Sequence, residues 1–391
     1  MNNTHSLFRK KFLSAFALLL LAASSMATAE DVKFGIYGAL SGGTGPLGQS
    51  MKNGVELAVE EINAAGGILG KKIAIVFRDD EAKNEKGAQV VQELLDKEGV
   101  VALFGPTNTG VADASTRYTN KRKVPQFISV SAGAKVNELF KDSPENYVFR
   151  IVANDDIQSK VIVKEAVVAR KFKKPAILCD DTNFGQAGRE RLEKELAAKK
   201  ITPVYVGKFK IKDTDMSAQL LQAKAAGADV ILGYGIGPEM AAVSNSMDRI
   251  GWKVPLVGAW TLSMPNYINN AGKNGEGTSM PQSFIEAGKH TPREEKFLSA
   301  YRAKYNEKPI QSAIAAVQAY DSVYLLKAGI EQAKSFEGAK VRAALENLSK
   351  PFQGVTGVYS KPFNGKDHEA MKESHVKVGV VKDGIVVPKA N

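Results

Sequence analysis

Residues 32–67 constrain the fold of this chain more than any other stretch. They begin with a short apolar segment, continue through a glycine-rich loop, and end in an amphipathic segment that stops at two glycines. Val55, Val59 and Ile62 recur there at the spacing of one helix face. The stretch therefore predicts a strand, a loop and a helix in that order, which is the unit from which parallel sheets are built.

This unit recurs along the chain. Residues 72–130 repeat it, with small polar loops following the strands, and a second alternation runs through residues 157–257. Residues 375–387 alternate polar and apolar side chains like an antiparallel edge. The sequence therefore predicts an α/β fold of two doubly wound parallel-sheet lobes joined by a three-crossing hinge.

The boundaries of these lobes follow from where the alternation breaks. We expect the chain to cross between the lobes near Arg150, Ser279 and Lys361. The predicted segments are a signal peptide at 1–29, lobe 1 at 30–150 plus 283–361, and lobe 2 at 151–282 plus 362–391.

The first 29 residues have the pattern of a secretory signal. Residues 9–11 are basic, residues 12–23 are almost wholly apolar, and small residues end the segment. The apolar part is shorter than the roughly 20 residues that a membrane span needs. We expect cleavage after Ala29, and because no cysteine follows directly to carry a lipid, we expect a soluble periplasmic product.

Charge and reactive residues argue against several functions. The net charge is +11, but lysine and arginine are spread over amphipathic segments rather than clustered with aromatic residues, so we expect solvated surfaces and no nucleic-acid partner. Cys179 has no partner for a disulfide. His290, His368 and His375 lie at no metal-ligand spacing. We therefore expect no metal, no cofactor and no enzymatic activity.

Gly43, Gly45 and Gly48 match the G-x-G-x-x-G pattern of dinucleotide-binding loops. The loop begins several residues after the strand, Pro46 interrupts it, and the acidic pair at 79–80 lies beyond the ~20-residue offset of a ribose contact. An NAD-dependent oxidoreductase is thus the weaker interpretation, and a plain tight turn is another. We favour a loop that faces a ligand.

Several stretches resemble one family. The segment IYGALSGGTGPLGQSMKNGVELAVEEINAAGGILGKKI, the following DDEA, the FGPTNTG loop and the IGPEM helix start are similar to periplasmic solute-binding proteins of the leucine/isoleucine/valine-binding group, which serve ABC importers. The resemblance covers essentially the whole mature chain. It implies a cleft that closes on a small molecule by hinge motion, an ABC permease as partner, and a monomer.

The resemblance also implies which residues of the first lobe contact the ligand. Thr109 stands where amino-acid binders of this group present a hydroxyl to the ligand carboxylate, although it could serve only as a helix N-cap. Ser131 keeps the first ligand position of the next loop, whereas Gly133 replaces a second hydroxyl. Asp79–Asp80 and Phe149–Arg150 also match the family, and we interpret both pairs as structural.

The second lobe departs from the amino-acid binders. Trp260 stands where they place the acidic side chain that pairs with the ligand ammonium, although a tryptophan can also serve packing alone. A buried ammonium without a partner is costly. Apolar or aromatic side chains occupy the other candidate ligand positions, namely Leu47, Phe184, Tyr234 and Ile236.

These residues predict a small hydrophobic carboxylate as the ligand, with an aromatic one as a candidate. Two alternatives within this fold stay open: a binder of branched-chain or other amino acids or amides, and a ligand-sensing subunit of a receptor. Trp252 is expected to pack away from the cleft.

Overall fold

A computed structural model describes residues 31–390 except 141 and 144. The predicted signal peptide lies outside the described residues. Two α/β lobes form the molecule, each built on its own sheet. In the described part of the chain, no helix is long and apolar enough to cross a membrane.

The first sheet is parallel throughout. Its order is β2-β1-β3-β4-β5, so the strand of the opening unit pairs with two later strands. Its strands are β1 Val32–Gly38, β2 Ile73–Asp79, β3 Ala102–Phe104, β4 Gln126–Ile128 and β5 Val148–Arg150.

The second sheet is parallel in its body and antiparallel at one edge, as the terminal alternation predicts. Its order is β14-β13-β10-β9-β8-β6-β7, with β13 antiparallel to both of its neighbours. Its strands are β6 Pro175–Asp180, β7 Tyr205–Phe209, β8 Val230–Tyr234, β9 Leu256–Gly258, β10 Ser279–Gln282, β13 Lys377–Lys382 and β14 Ile385–Pro388. The short strands β11 Phe352–Gln353 and β12 Val358–Tyr359 pair separately.

Helices connect the strands and cover the sheets. They are α1 Gly45–Ala64, α2 Asn84–Asp96, α3 Thr109–Lys121, α4 Lys135–Glu138, α5 Asp155–Val163, α6 Asn183–Ala198, α7 Ser217–Ala225, α8 Gly237–Arg249, α9 Pro265–Ala271, α10 Pro292–Tyr305, α11 Ala313–Ala333 and α12 Gly338–Glu346.

The chain returns to the first lobe after β10. Phe297, Tyr301 and Ile314 are buried in the same apolar core as the strands of the first sheet. Helices α1 and α11 approach so closely that a Cβ on Gly54 would lie 2.2 Å from the carbonyl oxygen of Ala316. The hinge therefore has three crossings, because β13 and β14 finally rejoin the second sheet.

The last crossing carries a segment that still contacts the first lobe. Phe363 and Ala370 belong to the first core, and the amide of Ala370 donates to the carbonyl of Arg150 at 2.9 Å. The residue-level boundary near Lys361 stays a prediction, as do the other lobe boundaries.

The predicted start of helix α6 is wrong. The sequence predicts a helix from Gly188 preceded by a loop over residues 180–185, but the helix begins at Asn183. The hydroxyl of Thr182 accepts a hydrogen bond from the amide of Gly185 and so caps the helix five residues earlier. Phe184 consequently lies in the first helical turn rather than in a loop.

Candidate ligand site between the lobes

The wall contributed by the first lobe brings Thr109, Ser131 and Gly133 together. The Ser131 hydroxyl lies 3.4 Å from the Thr109 hydroxyl, and both side chains are buried. A Cβ on Gly133 would lie 2.2 Å from the Thr109 methyl group, so only glycine lets this loop pack on the helix start. These three predicted residues of the first lobe therefore form one cluster.

Thr109 is the first residue of α3, and the interpretation of Thr109 as the N-cap is wrong. Asn108 has the extended backbone of an N-cap. The first amides of a helix have no acceptor within the helix, and they carry the positive end of its dipole. The start of α3 therefore offers amides as well as a hydroxyl to an anionic group.

Tyr234 and Phe184 form an aromatic pair in the second lobe, which we call the aromatic wall. Tyr234 ends β8 and is fully buried, and its ring centroid lies 4.8 Å from that of Phe184. The Tyr234 hydroxyl donates to Oδ1 of Asp155 at 2.6 Å. The Tyr234 hydroxyl is therefore already engaged, and its ring packs in the apolar core of the second lobe, where a Cβ on Gly188 would lie 2.0 Å from it.

The glycine loop meets the second lobe directly. A Cβ on Gly43 would lie 3.0 Å from Cδ1 of Ile236, and the carbonyl of Gly43 accepts a hydrogen bond from Asn266 at 2.8 Å. Gly48 instead packs α1 on the end of the first strand, since a Cβ there would lie 1.8 Å from the carbonyl oxygen of Ala39. Two glycines of the motif therefore have different structural roles, one between lobes and one within the first lobe.

Trp260 is held by its backbone directly after β9. Its amide donates to the side chain of Gln158 at 3.1 Å, and its carbonyl accepts from Ser263 at 2.8 Å and from Gln282 at 3.2 Å. The side chain is only 4% exposed and belongs to the same buried apolar cluster as Leu47. These contacts fix the indole against the first lobe.

The indole N–H of Trp260 is a buried donor. Among the described residues it has no hydrogen-bond partner. Leaving a buried donor unsatisfied costs about 1–3 kcal/mol. Because an indole can only donate, the group that satisfies this nitrogen must be an acceptor such as a carboxylate oxygen.

Polar contacts also join the lobes at their facing helices. Asn183 on α6 donates to Asp113 on α3 at 2.8 Å. Arg191 on α6 pairs with Glu138 on α4 at 2.8 Å. The two lobes therefore contact each other directly through these helices.

A separate cavity of about 530 Å³ is lined by Ser263 and Gln282, which contact the Trp260 carbonyl. Apolar side chains from both lobes line it, including Ile268 and Ile314, but none of the eight predicted ligand residues does. Its Arg302 is already paired with Glu286 at 2.6 Å. We place the candidate site at the strand ends instead, because the Thr109 and Ser131 hydroxyls lie together at the start of α3 and Trp260 follows the end of β9.

Sequence reasoning missed Asp155. It is the first residue of α5 and is fully buried beside Tyr234. Burial raises the pKa of this carboxyl to about 7, against the opposing effects of the Tyr234 hydrogen bond and the Arg150 charge. The acidic pair at 155–156 is the available signal, but the apolar pattern predicts a helix from Ile157 and so leaves the pair in a loop.

Two α/β lobes, each with its own sheet and joined by three crossings, define the class of this fold. The chain belongs to the periplasmic binding protein family, whose sequence profile matches residues 31–384. Membership of this family implies a periplasmic location.

Relatives and solved structures agree with this assignment. The chain is 28% identical over 347 residues to Leu/Ile/Val-binding protein homolog 3 of Brucella melitensis, covering 89% of this chain and 91% of the relative. The isoleucine complex of LivJ, a branched-chain amino acid transporter substrate-binding protein from Streptococcus pneumoniae, superposes with a TM-score of 0.80 at 25% identity, covering 92% of this chain and 100% of LivJ.

A third similar structure has a different ligand. It is the solute-binding protein of an ABC transporter from R. palustris in complex with 4-hydroxybenzoate. Its TM-score is 0.79 at 21% identity, and the match covers 92% of this chain and 96% of that one. This likeness concerns the fold alone.

Proposed function

We propose that this protein captures a small hydrophobic monocarboxylate between its lobes and delivers it to an ABC permease. The observation that carries the proposal is the buried indole N–H of Trp260, which has no hydrogen-bond partner in the part of the chain that the structure describes. In the amino-acid binders that the sequence resembles, this position holds an acidic acceptor. A donor in its place favours an anionic ligand group over an ammonium.

The other polar groups of the site support an anion. Thr109 and Ser131 supply hydroxyls, and the start of α3 supplies amides and the positive end of a helix dipole. A ligand ammonium would need a free carboxylate. Two buried carboxylates lie beside the aromatic wall: Asp155 already accepts from the Tyr234 hydroxyl and from the amide of Ala134, and Asp180, among the described residues, accepts from Thr182 and Gly185 through one oxygen only.

The remaining walls support an apolar body for the ligand. Leu47, Phe184, Ile236 and the Tyr234 ring are the side chains we assign to it. Burial of an apolar side chain stabilises a complex by about 25 cal/mol per Å² of area removed from water, so these walls favour a hydrophobic ligand over a polar one. The 4-hydroxybenzoate bound by the R. palustris protein is an example of such a ligand within this fold.

A branched-chain amino acid is the second candidate. The names of the curated relatives and the isoleucine bound by LivJ favour it. Binding of such an amino acid requires an acceptor for its ammonium other than the side chain at position 260.

For either ligand we propose export by a signal peptide cleaved after Ala29, action as a monomer, and recognition of the closed form by the permease.

Intrinsic fluorescence tests the assignment of Trp260. Titration of the wild-type protein with benzoate or 4-methylpentanoate should change the tryptophan emission, because the indole N–H gains an acceptor. Trp260→Ala should remove most of the change. Trp252→Ala is the matched control and should keep it, since Trp252 packs against the apolar core of the second sheet. An equal response from Trp260→Ala and the wild type would refute the site.

A further inference from the structure

The loop at residues 131–134 is attached to the hinge rather than only to its own lobe. The carbonyl of Ala132 accepts from the amide of Asp155 at 3.0 Å. The carbonyl of Gly133 accepts from the Arg150 guanidinium. The amide of Ala134 donates to Oδ2 of Asp155 at 3.3 Å. Three successive residues beside the candidate site are therefore held by two side chains and one amide at the first crossing.

Arg150 extends this attachment to the last crossing. It is fully buried, and its Nε lies 2.9 and 2.8 Å from the two carboxylate oxygens of Glu369. Glu369 also accepts from Asn137 at 2.8 Å. The Arg150 backbone pairs with residues 368–370 on the same segment. The loop is thus linked through Arg150 to two of the three crossings.

Asp155 extends the attachment to the second lobe. One carboxylate oxygen binds the loop amide of Ala134, and the other binds the Tyr234 hydroxyl at 2.6 Å. Tyr234 in turn contacts Phe184 in the aromatic wall. A single carboxylate therefore connects the walls contributed by the two lobes.

We propose that Arg150 and Asp155 are positioning residues that hold the 131–134 loop in its ligand-binding geometry and connect it to the hinge and to the second lobe. Hydrogen bonds weaken steeply outside their narrow range of distance and angle, so losing either anchor lets the loop leave this geometry. This inference rests on the proposed ligand site.

Two variants test the positioning role. Asp155→Asn keeps the size of the side chain but replaces one acceptor oxygen by a donor. Arg150→Lys keeps the charge beside Glu369 but cannot reach both Glu369 and the Gly133 carbonyl. We expect each variant to raise the Kd of benzoate or 4-methylpentanoate about tenfold or more, the effect of one hydrogen bond to a charged group.

The matched control is Arg78→Lys. Arg78 makes a comparable double contact, with Glu93 at 2.9 Å and Glu98 at 2.8 Å, on the far edge strand of the same sheet. We expect it to leave the Kd unchanged.

Hydrogen exchange in the absence of ligand provides a readout that does not depend on the identity of the ligand. In Asp155→Asn the peptide containing Ala134 should exchange faster than in the wild type, while peptides of α11 stay unchanged. If the wild type binds neither acid, the proposed ligand class is wrong. The exchange result then tests by itself whether Asp155 holds the 131–134 loop. Wild-type Kd values in both variants, or unchanged exchange at Ala134, would overturn the inference.

Discussion

Replacing Trp260 by glutamate is expected to reverse the ligand preference of this protein. In the wild type, leucine would bury its ammonium without a carboxylate of the protein to pair with it. The ligand 4-methylpentanoate lacks only this amino group and therefore buries no cation. In Trp260→Glu the new carboxylate can pair with the ammonium of leucine, while 4-methylpentanoate leaves it unpaired. Breaking a buried ion pair costs about 3–5 kcal/mol, so we expect each preference to exceed about 100-fold.

The measurement is calorimetric titration of both variants with both ligands. Trp260→Gln is the matched control, since it removes the indole without adding charge and should weaken both ligands without favouring leucine. A Trp260→Glu protein that still prefers 4-methylpentanoate would show that position 260 does not face the ligand amino group.

The stability of the wild type is expected to fall relative to Asp155→Asn as the pH rises from about 4 to about 7. Burial raises the folded-state pKa of Asp155 from its ordinary 3.8 to about 7. Between these values the unfolded chain has lost a proton that the folded protein retains, so the free energy of unfolding decreases with pH. The asparagine does not titrate. A shift of this size corresponds to a relative change of roughly 4 kcal/mol.

The pH effect is measured by urea unfolding of both proteins at matched pH values. Burial also raises the pKa of Asp80 and Asp180 to about 6, but both residues are present in wild type and variant, so the difference isolates Asp155. The groups that face Asp155 are Arg150, Asp156 and Tyr234. Parallel pH profiles for the two proteins would contradict a raised pKa at this site.

The fold could be predicted from local pattern because each strand and helix carries its own signal. The alternation of apolar and amphipathic segments predicted both sheets, and the polar alternation near the C-terminus predicted the antiparallel edge of β13 and β14. The error at α6 arose because the capping hydroxyl of Thr182 precedes the apolar face of the helix by several residues.

The grouping of the candidate residues could be predicted in part. Thr109, Ser131 and Gly133 follow neighbouring parallel strands, and the carboxyl ends of such strands lie side by side. The anchors of the loop could not be predicted, because their partners are distant in sequence. Tyr234 lies 79 residues from Asp155, and Glu369 lies 219 residues from Arg150.

Affinity for a matched pair of ligands tests the central proposal most directly. Calorimetric titration of the wild-type protein with 4-methylpentanoate and with leucine compares two molecules that differ only in the α-ammonium group, and benzoate extends the comparison to an aromatic acid. We predict that an acid binds at least about 100-fold more tightly than leucine, because Trp260 offers a donor where the ammonium needs an acceptor. Tighter binding of leucine than of either acid would contradict the account.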